Sequence, residues 1–185
     1  MNRRAVVEKI LSDRDSLLVI AGLGSTAWDC TAAGDSPLTF PMWGAMGQAA
    51  MMGLGLELAQ PRRRVLVITG DGEALMGLGA LATIGAQKPE NLTVVVIDNE
   101  RFGETGMQAT HTAHGVDLAG VARSCGFKVL DLEHLPKAIH ESPGPNFAAV
   151  KVAAEKIPLV LPPREGALLK ARFRRALLGP QADAE

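Results

Sequence analysis

Two runs of β-branched and apolar residues, each followed at once by glycine or polar residues, constrain the fold of this chain most strongly. The runs cover residues 64–69 (RVLVIT) and 92–97 (LTVVVI), and a helical pattern over 73–86 lies between them. Continuous runs of this kind are typical of parallel strands that are covered on both faces. The order strand, helix, strand therefore predicts an α/β domain built on a parallel sheet.

The rest of the chain continues this alternation. Further strands are predicted at 16–21, 38–40, 127–130 and 147–152. Further helices are predicted from Ser25 or Thr26 onward and at 45–58, 117–125, 134–139 and 164–178. The fold class we expect is α/β, a doubly wound, mostly parallel sheet with helices on both faces. Residues 1–185 would form a single domain, in which 164–185 are a C-terminal helix and a frayed tail.

Two segments of this pattern invite a functional interpretation. Residues 45–58 are apolar nearly all round and rich in Gly and Ala, which predicts a buried helix that neighbouring backbones approach closely. Residues 99–115 are polar, rich in glycine and without periodicity, which predicts a long loop. Loops of this length inside a domain are usually functional or disordered.

Charge and composition exclude several classes of function. The net charge is -1 and the pI is about 6.4, so a nucleic-acid partner is not expected. The first fifteen residues carry charges throughout, and no apolar run reaches the roughly 18 residues of a membrane span. The two cysteines, Cys30 and Cys125, have no metal-like spacing. We therefore expect a cytoplasmic protein without a disulfide framework.

Three of the predicted strands end in segments that suit a phosphate or metal ligand. Residues 22–26, 70–72 and 98–99 follow these strands directly. Open α/β sheets bind ligands beyond the carboxyl ends of their strands, so these segments should meet at one edge of the sheet.

The residue types at this edge favour a Mg²⁺ ion that is shared with a diphosphate. Asp71 offers a charged oxygen and Asn99 a neutral one, which are the ligands that Mg²⁺ prefers. Gly70 and Gly72 permit a sharp turn and close approach of the backbone, and the helix that follows points its free N–H groups at the same place. Hydroxyl groups that could donate further hydrogen bonds belong to Ser25 and Thr26.

The Gly-Asp-Gly turn, the 26 residues 73–98 and Asn99 together resemble the cofactor motif of thiamine diphosphate-dependent enzymes. This resemblance implies that Mg²⁺ is held by Asp71, Asn99 and the backbone carbonyl of Arg101. The segment 43–47 (WGAMG) is similar to the one under the waist of the cofactor. That similarity implies that the Gly44 carbonyl accepts a hydrogen bond from the aminopyrimidine and that Met46 bends the cofactor. Gly24, Ser25 and Thr26 resemble the first diphosphate loop of these enzymes.

A narrower resemblance covers roughly residues 15–155. Residues 70–85 (GDGEALMGLGALATIG) and 98–112 (DNERFGETGMQATHT) resemble the β subunits, or C-terminal halves, of sulfopyruvate and phosphonopyruvate decarboxylases. The resemblance implies a 2-oxo acid decarboxylase that forms sulfoacetaldehyde or phosphonoacetaldehyde, and the residues do not distinguish the two substrates. In this family a pyrimidine-binding domain supplies an activating glutamate. A chain of this length holds one α/β domain, so that glutamate would come from a partner α subunit, in an α2β2 or larger assembly.

The loop that begins at Gly103 is the expected lid over the substrate. Its expected substrate-binding residues are Gln108, Thr110, His111 and Thr112, and His111 is also the candidate for proton delivery. The remaining candidates for cofactor binding are Gly103, Glu104, Thr105 and Glu73. Glu73 has a second interpretation, as a residue of the first helical turn that the helix dipole favours.

The residues leave other functions open. A carboligase subunit similar to acetolactate synthase would use the same cofactor. A non-catalytic module would bind the cofactor without turnover, since the activating glutamate is not expected on this chain. The β subunit of a ferredoxin-linked oxidoreductase is disfavoured because two distant cysteines cannot supply four thiolates to an iron–sulfur cluster. A different nucleotide-binding domain is disfavoured because no Gly-x-Gly-x-x-Gly segment opens a helix.

Overall fold

The structure is a computed structural model that describes residues 1–183, and a parallel sheet lies at its centre. In chain order the strands are β1 Leu18–Ala21, β2 Thr39–Pro41, β3 Val65–Gly70, β4 Leu92–Asp98, β5 Arg101–Phe102, β6 Gln108–Ala109, β7 Lys128–Val129 and β8 Asn146–Lys151. The sheet has the order β2-β1-β3-β4-β8-β7, and each neighbouring pair is parallel. This arrangement confirms the predicted α/β class with a parallel sheet.

Helices cover both faces of the sheet. They are α1 Arg3–Leu11, α2 Ser25–Ala32, α3 Ala49–Ala59, α4 Asp71–Met76, α5 Gly79–Gln87, α6 Leu118–Ser124, α7 Leu135–Glu141 and α8 Gly166–Leu178. Short 3-10 helices follow at His111–His114 and Gly179–Asp183. Successive strand residues point to opposite faces, so two cores form: α1, α2 and α7 pack on one face, and α3, α5 and α6 on the other.

The strand order reverses direction between β1 and β3. From β1 the chain passes outward to β2 and then returns to β3 on the opposite side of β1. The loops after β1 and β3 therefore leave the sheet on opposite faces and open a crevice between them. Doubly wound sheets bind their ligands at such a point.

Two helices differ from the sequence prediction. The expected helix at 73–86 is interrupted, because α4 ends at Met76 and α5 begins at Gly79. The break lies at Gly77, where a Cβ atom would collide with the backbone carbonyl of Gly47. Helix α1 was not predicted, because the charged residues Arg3 and Arg4 at its start interrupt the pattern of apolar residues that would indicate a buried helix face.

The segment expected to form a helix buried all round is also different. Helix α3 begins at Ala49 and buries only one side, while Met52 and Leu58 on its other side are exposed. Composition reveals that a helix is apolar, but the elements packed around it decide which of its faces is covered.

The segment predicted as a featureless loop is ordered. Strands β5 and β6 form an antiparallel hairpin, and the 3-10 helix His111–His114 follows it. Two-residue strands are too short to produce a periodic signal in the sequence. At the C-terminus residues 179–183 form a 3-10 helix, and the fraying expected of the last residues concerns 184 and 185, which lie outside the described residues.

Within residues 1–183 no helix is both long and apolar enough to cross a membrane. Both cysteines are free, as predicted.

Candidate active site

A cavity of about 420 Å³ opens at the carboxyl edge of the sheet, where the strand order reverses. Its walls come from the loop after β1, the start of α4, the β5–β6 hairpin and a segment that follows β8. The sequence-predicted residues that line it are Gly24, Ser25, Met46, Gly70, Asp71, Gly72, Glu73, Asn99, Arg101, Gly103, Glu104 and Thr105. Most of the predicted cofactor-binding residues are thus gathered around one cavity.

Asp71 begins α4 at the floor of the cavity and is only 2% exposed. Its Oδ2 atom accepts a hydrogen bond of 2.5 Å from Thr110 Oγ1 and a longer one of 3.3 Å from Thr112 Oγ1. Backbone N–H groups of Asp71 and Asn99 also point at this carboxylate. Asp71 is therefore held in one orientation by side chains from a distant part of the chain.

A second buried carboxylate extends this network. Thr112 Oγ1 also donates a 2.8 Å hydrogen bond to Asp98 Oδ1, and Lys151 Nζ lies 2.9 Å from Asp98 Oδ2. Lys151 thus compensates the charge of Asp98, while Asp71 lies nearby without an ion-pair partner among residues 1–183.

Burial is the main reason that the pKa of Asp71 is raised. The hydrogen bond from Thr110 lowers the pKa, and the negative charge of Asp98 raises it further. An ionised carboxylate that is buried beside another carboxylate is electrostatically unfavourable, and a cation bound next to Asp71 would relieve this.

Asn99 lies at the end of β4, and its side chain faces the same cavity. Its Oδ1 atom accepts a 3.0 Å hydrogen bond from the backbone N–H of Arg101. This turn fixes the amide of Asn99 and the peptide between Glu100 and Arg101, and Arg101 lines the same cavity. An amide oxygen has two lone pairs, so Oδ1 retains the capacity to bind a cation.

The loop after β1 requires a glycine at its tip. Gly24 has a φ of 73°, which favours glycine, and Ser25 opens α2 at the cavity wall. The Thr26 hydroxyl instead donates a 2.7 Å hydrogen bond to the carbonyl of Gly22, and the side chain is buried. Thr26 therefore closes the loop after β1 in this structure, and its role as a donor to the diphosphate stays a prediction.

Glu104 reaches across the cavity from the tip of the β5–β6 hairpin. A Cβ atom at Gly24 would collide with Glu104 Oε1, so the carboxylate lies directly against the loop after β1. An ionised carboxylate cannot donate a hydrogen bond to a phosphate. Cofactor binding by Glu104 stays a prediction, and the position of its carboxylate beside Gly24 would place a negative charge next to a diphosphate bound there.

Met46 lies between β2 and α3 and reaches the start of α4. Its Cε atom is 3.6 Å from the position of a Cβ atom at Gly72. The same Cβ atom would lie 2.6 Å from Phe102, so a side chain at position 72 would fill the cavity floor. Gly44 is exposed and is not part of the cavity lining of residues 1–183.

Glu73 is 4% exposed, and its Oε2 atom accepts a 2.7 Å hydrogen bond from Thr69 Oγ1. Its pKa is raised chiefly by burial, against the opposing effect of the Thr69 hydrogen bond. Its other oxygen, Oε1, is buried and has no hydrogen-bond partner among residues 1–183. A Cβ atom at Gly22 would collide with Oε2, so Glu73 packs the start of α4 against the loop after β1, a contact that neither sequence interpretation included.

The predicted substrate-binding residues are not brought to the cavity. Thr110 and Thr112 are buried, and their hydroxyls are engaged with Asp71 and Asp98. Gln108 is exposed and bonded to Thr105, and His111 is exposed on the 3-10 helix beyond the lining residues. Substrate contact by Thr110 and Thr112 stays a prediction, and in this structure both hydroxyls are committed to carboxylates, those of Asp71 and Asp98. The geometry does not support the catalytic role expected of His111.

Several lining residues were not identified from the sequence. They are Arg3 on α1, Trp28 on α2, Met107 on the hairpin and four residues after β8, namely Glu155, Lys156, Ile157 and Leu159. The segment after β8 has neither periodicity nor a motif, so nothing in its sequence indicated that it lies across the cavity.

Comparisons with known proteins agree with this geometry. Residues 24–152 match the family described as thiamine pyrophosphate enzyme, C-terminal TPP binding domain. The chain is 42% identical over 155 residues to the sulfopyruvate decarboxylase subunit beta of Methanothermobacter thermautotrophicus, which covers 82% of each chain. It is also 42% identical over 130 residues to the phosphonopyruvate decarboxylase of Streptomyces viridochromogenes, covering 69% of this chain and 32% of that one.

Solved structures share the fold. The benzoylformate decarboxylase of Polynucleobacter necessarius superposes with a TM-score of 0.64 at 20% identity, over 84% of this chain. The superposition covers 34% of that chain, so this chain spans about a third of the decarboxylase.

Proposed function

The chain belongs to the thiamine pyrophosphate enzymes through their C-terminal TPP-binding domain, and from this premise we propose that it is the β subunit of a 2-oxo acid decarboxylase. The proposed substrate is sulfopyruvate or phosphonopyruvate, with sulfoacetaldehyde or phosphonoacetaldehyde as the product. The proposed cofactors are thiamine diphosphate and Mg²⁺.

One observation carries this proposal. Asp71, Asn99 and the loop 24–25 meet at a single cavity at the point where the strand order reverses. Asp71 is buried without a cation partner among the described residues and is oriented by Thr110. A buried, oriented carboxylate beside a free amide oxygen suits Mg²⁺, which takes oxygen ligands and is often shared with phosphates.

The residues present also fit a diphosphate. Gly24 and Gly72 lie where a side chain would occupy the cavity, and Ser25 offers its hydroxyl at the start of α2. We propose that Asp71, Asn99 and the Arg101 carbonyl hold Mg²⁺. We also propose that Gly24, Ser25 and the backbone of 70–72 hold the phosphates, while Met46 supports the bend of the cofactor.

Thiamine diphosphate supplies the electron sink that decarboxylation of a 2-oxo acid requires. The residues of this chain would bind the cofactor and the metal ion and orient them. Thr110 holds the Asp71 carboxylate toward the metal position, and the Asn99–Arg101 turn presents two oxygens to it. Apolar side chains of Ile97 and Phe102 exclude water from the cavity wall.

We propose that a pyrimidine-binding α subunit completes the site and supplies the activating glutamate. The sulfopyruvate decarboxylase relatives of Methanothermobacter thermautotrophicus and Methanocaldococcus jannaschii are named as β subunits. The outer faces of the adjacent helices α3 and α5 carry no charged side chain among their exposed positions. We call this surface the α3–α5 face, and its exposed residues are Gln48, Met52, Gly55, Leu58, Ala59, Gly79, Ala82, Thr83, Ala86 and Gln87.

A surface of this kind suits a permanent partner. Interface cores are depleted of charged residues, whereas the exposed face of a solvated helix normally carries them. In the chain, the exposed residues Trp43 and Gly44 directly precede the segment that holds Met46, which lines the cavity, and Gln48, which belongs to the α3–α5 face. A partner docked there would reach the cofactor over Met46, and an α2β2 or larger assembly would follow.

The function is tested on the chain co-purified with its α-type partner. Thiamine diphosphate binding is titrated by calorimetry with and without Mg²⁺, and CO2 release is assayed from sulfopyruvate and from phosphonopyruvate. Asp71→Asn and Asn99→Ala should abolish Mg²⁺-dependent binding and turnover. Asp131→Asn is the matched control, since the Asp131 side chain is exposed, bonds to the nearby His134 and lies outside the cavity lining of residues 1–183.

The possible results separate the alternatives. Aldehyde formation from either acid supports the proposal and identifies the substrate. An acetohydroxy acid product would instead assign the chain to a carboligase similar to acetolactate synthase. Cofactor binding without turnover in the assembled complex would indicate a non-catalytic module, and absence of Mg²⁺-dependent binding would reject the proposal altogether.

The partner surface is tested separately. Met52→Glu places a charge on the α3–α5 face, so we expect loss of co-purification with an unchanged circular dichroism spectrum. Leu168→Glu is the matched control, because Leu168 is exposed on α8 outside this face. Light scattering gives the mass of the wild-type complex, and co-purification of Met52→Glu at wild-type yield would contradict the docking surface.

A further inference from the structure

Residues 153–159, here called the strap, follow β8 without regular structure and pass over one end of the cavity. The N-terminal residues hold the strap in place. The backbone N–H of Ala153 donates to the Met1 carbonyl at 2.8 Å, and Asn2 Nδ2 donates to Glu155 Oε2 at 2.9 Å. The carbonyls of Glu155 and Pro158 accept hydrogen bonds from Arg3 and Arg4.

The same two arginines connect the strap to α2. Arg3 Nε lies 2.6 Å from Asp29 Oδ2, and Arg4 Nε lies 3.0 Å from Asp29 Oδ1. Both guanidinium groups are largely buried and share one carboxylate, so they are fixed in place and leave a net positive charge of one. The strap is therefore tied to α2, the helix that begins at the Ser25 side of the cavity.

Lys156 lies in the middle of the strap and lines the cavity with an exposed side chain. It has no acidic partner within 4 Å in the part of the chain that the structure describes. Its ammonium group is therefore an uncompensated positive charge at the edge of a site that, under the proposed function, receives a diphosphate.

The neighbours of the strap indicate which part of the cofactor it meets. Arg3 and Trp28 line the cavity with it, and Trp28 is three residues beyond Ser25 on α2. The strap is also tied to α2 through Arg3, Arg4 and Asp29, so it lies on the side of the first diphosphate loop.

We infer that Lys156 is a cofactor-binding residue whose ammonium group pairs with the terminal phosphate of thiamine diphosphate, and that the strap positions it. The inference rests on the proposed function. It assigns to this chain a positive charge that contacts the diphosphate in addition to the metal ion. An ammonium group is a flexible point charge, which suits a phosphate at the open edge of a site.

The test compares Lys156→Met with wild type in the complex with the partner subunit, using calorimetry with thiamine diphosphate and with thiamine monophosphate. Lys156→Met should bind thiamine diphosphate roughly five- to tenfold more weakly, because one charge-assisted contact is lost. Its affinity for the monophosphate, which lacks the terminal phosphate, should be unchanged. The wild-type affinity for the diphosphate should also fall more steeply with salt than that of the variant.

Lys128→Met is the matched control, since Lys128 is an exposed lysine on the edge strand β7. A second measurement needs no variant: Mg²⁺ and thiamine diphosphate should slow tryptic cleavage after Lys156 but not after Lys128.

An unchanged affinity of Lys156→Met for the diphosphate would overturn the inference, as would an equal loss for both ligands. These results are distinct from failure of the proposed function, in which wild type itself would show no Mg²⁺-dependent binding of thiamine diphosphate.

Discussion

Thr110 Oγ1 donates a 2.5 Å hydrogen bond to Asp71 Oδ2, although 39 positions separate the two residues in the chain. The bond joins the segment after the β5–β6 hairpin to the start of α4. It explains why residues 110–114 fold down onto the sheet edge rather than forming an open loop. Thr110 therefore acts through Asp71, as a positioning residue for the proposed metal site.

Thr110→Val should lower the affinity for Mg²⁺ about tenfold in the presence of thiamine diphosphate. Residues that hydrogen-bond to a metal ligand typically contribute this much to the affinity for the metal. The side chain keeps its shape but loses the hydroxyl that orients Asp71. The measurement is a Mg²⁺ titration at fixed thiamine diphosphate. Ser124→Ala, at an exposed position of α6 outside the α3–α5 face, serves as the control. Equal Mg²⁺ affinity in Thr110→Val and wild type would show that Asp71 does not need this support.

Gly77→Ala should disturb the cofactor site while Gly166→Ala should not. A Cβ atom at Gly77 would collide with the Gly47 carbonyl, whereas a Cβ atom at Gly166, at the start of α8, meets no atom within 4 Å. Relief of the collision shifts the segment that carries Met46, at a cost of about 1–3 kcal/mol in stability. Urea unfolding and cofactor titration should both show the loss. A stable, fully binding Gly77→Ala protein would argue against the close contact of the two backbones.

Glu104→Gln should tighten the binding of thiamine diphosphate about threefold, because it removes an exposed negative charge worth up to about 1 kcal/mol. In the structure this carboxylate lies against Gly24, where the diphosphate is proposed to bind. Calorimetry on the complex measures the change, and Glu141→Gln on the exposed part of α7 is the control. Weaker binding in Glu104→Gln would mean that the carboxylate assists the cofactor instead of competing with it.

Asp29→Asn should destabilise the chain by about 3 kcal/mol, because it leaves two largely buried guanidinium groups without a counter-charge. Asp35→Asn breaks an ion pair with Arg172 that is much more exposed and should cost about 1 kcal/mol or less. The free energy of unfolding in urea distinguishes the two. Similar values for both variants would contradict the assignment of Asp29 as the anchor of the N-terminal arginines.

Cys30 should be inert toward thiol reagents in the folded chain. Burial raises the pKa of its thiol from 9.0 to about 12, and the nearby Asp29 adds to the effect. A disulfide-forming reagent at pH 8 should label Cys125 alone, and both cysteines after unfolding in guanidinium. Above pH 9 the unfolded chain loses this proton while the folded chain retains it. Stability should therefore decrease as the pH rises from about 9 to 12. Labelling of two thiols in the folded chain would show that Cys30 is accessible.

The sequence alone was sufficient for the features that depend on neighbouring residues. The β-branched runs of β3 and β4 predicted a parallel sheet, because a strand buried on both faces must be apolar throughout. The polar residues at the strand ends predicted where Asp71 and Asn99 lie, since parallel strands bring their carboxyl ends to one edge. These inferences need only local pattern and the topology of the fold.

Tertiary structure decided the rest, because it depends on which distant segments meet. Thr110 lies in a polar segment that reads as a loop in the sequence. Its side chain is buried, and its hydroxyl is committed to the Asp71 carboxylate, only because the two segments meet in the fold. Helix α1 carries charges that oppose burial until Asp29 pairs with them. Lys156 lies at the cavity because the N-terminal residues hold the strap across it. Hydrogen bonds and ion pairs between segments that are 26 to 154 residues apart leave no periodic signal in either segment, so only their positions in space reveal them.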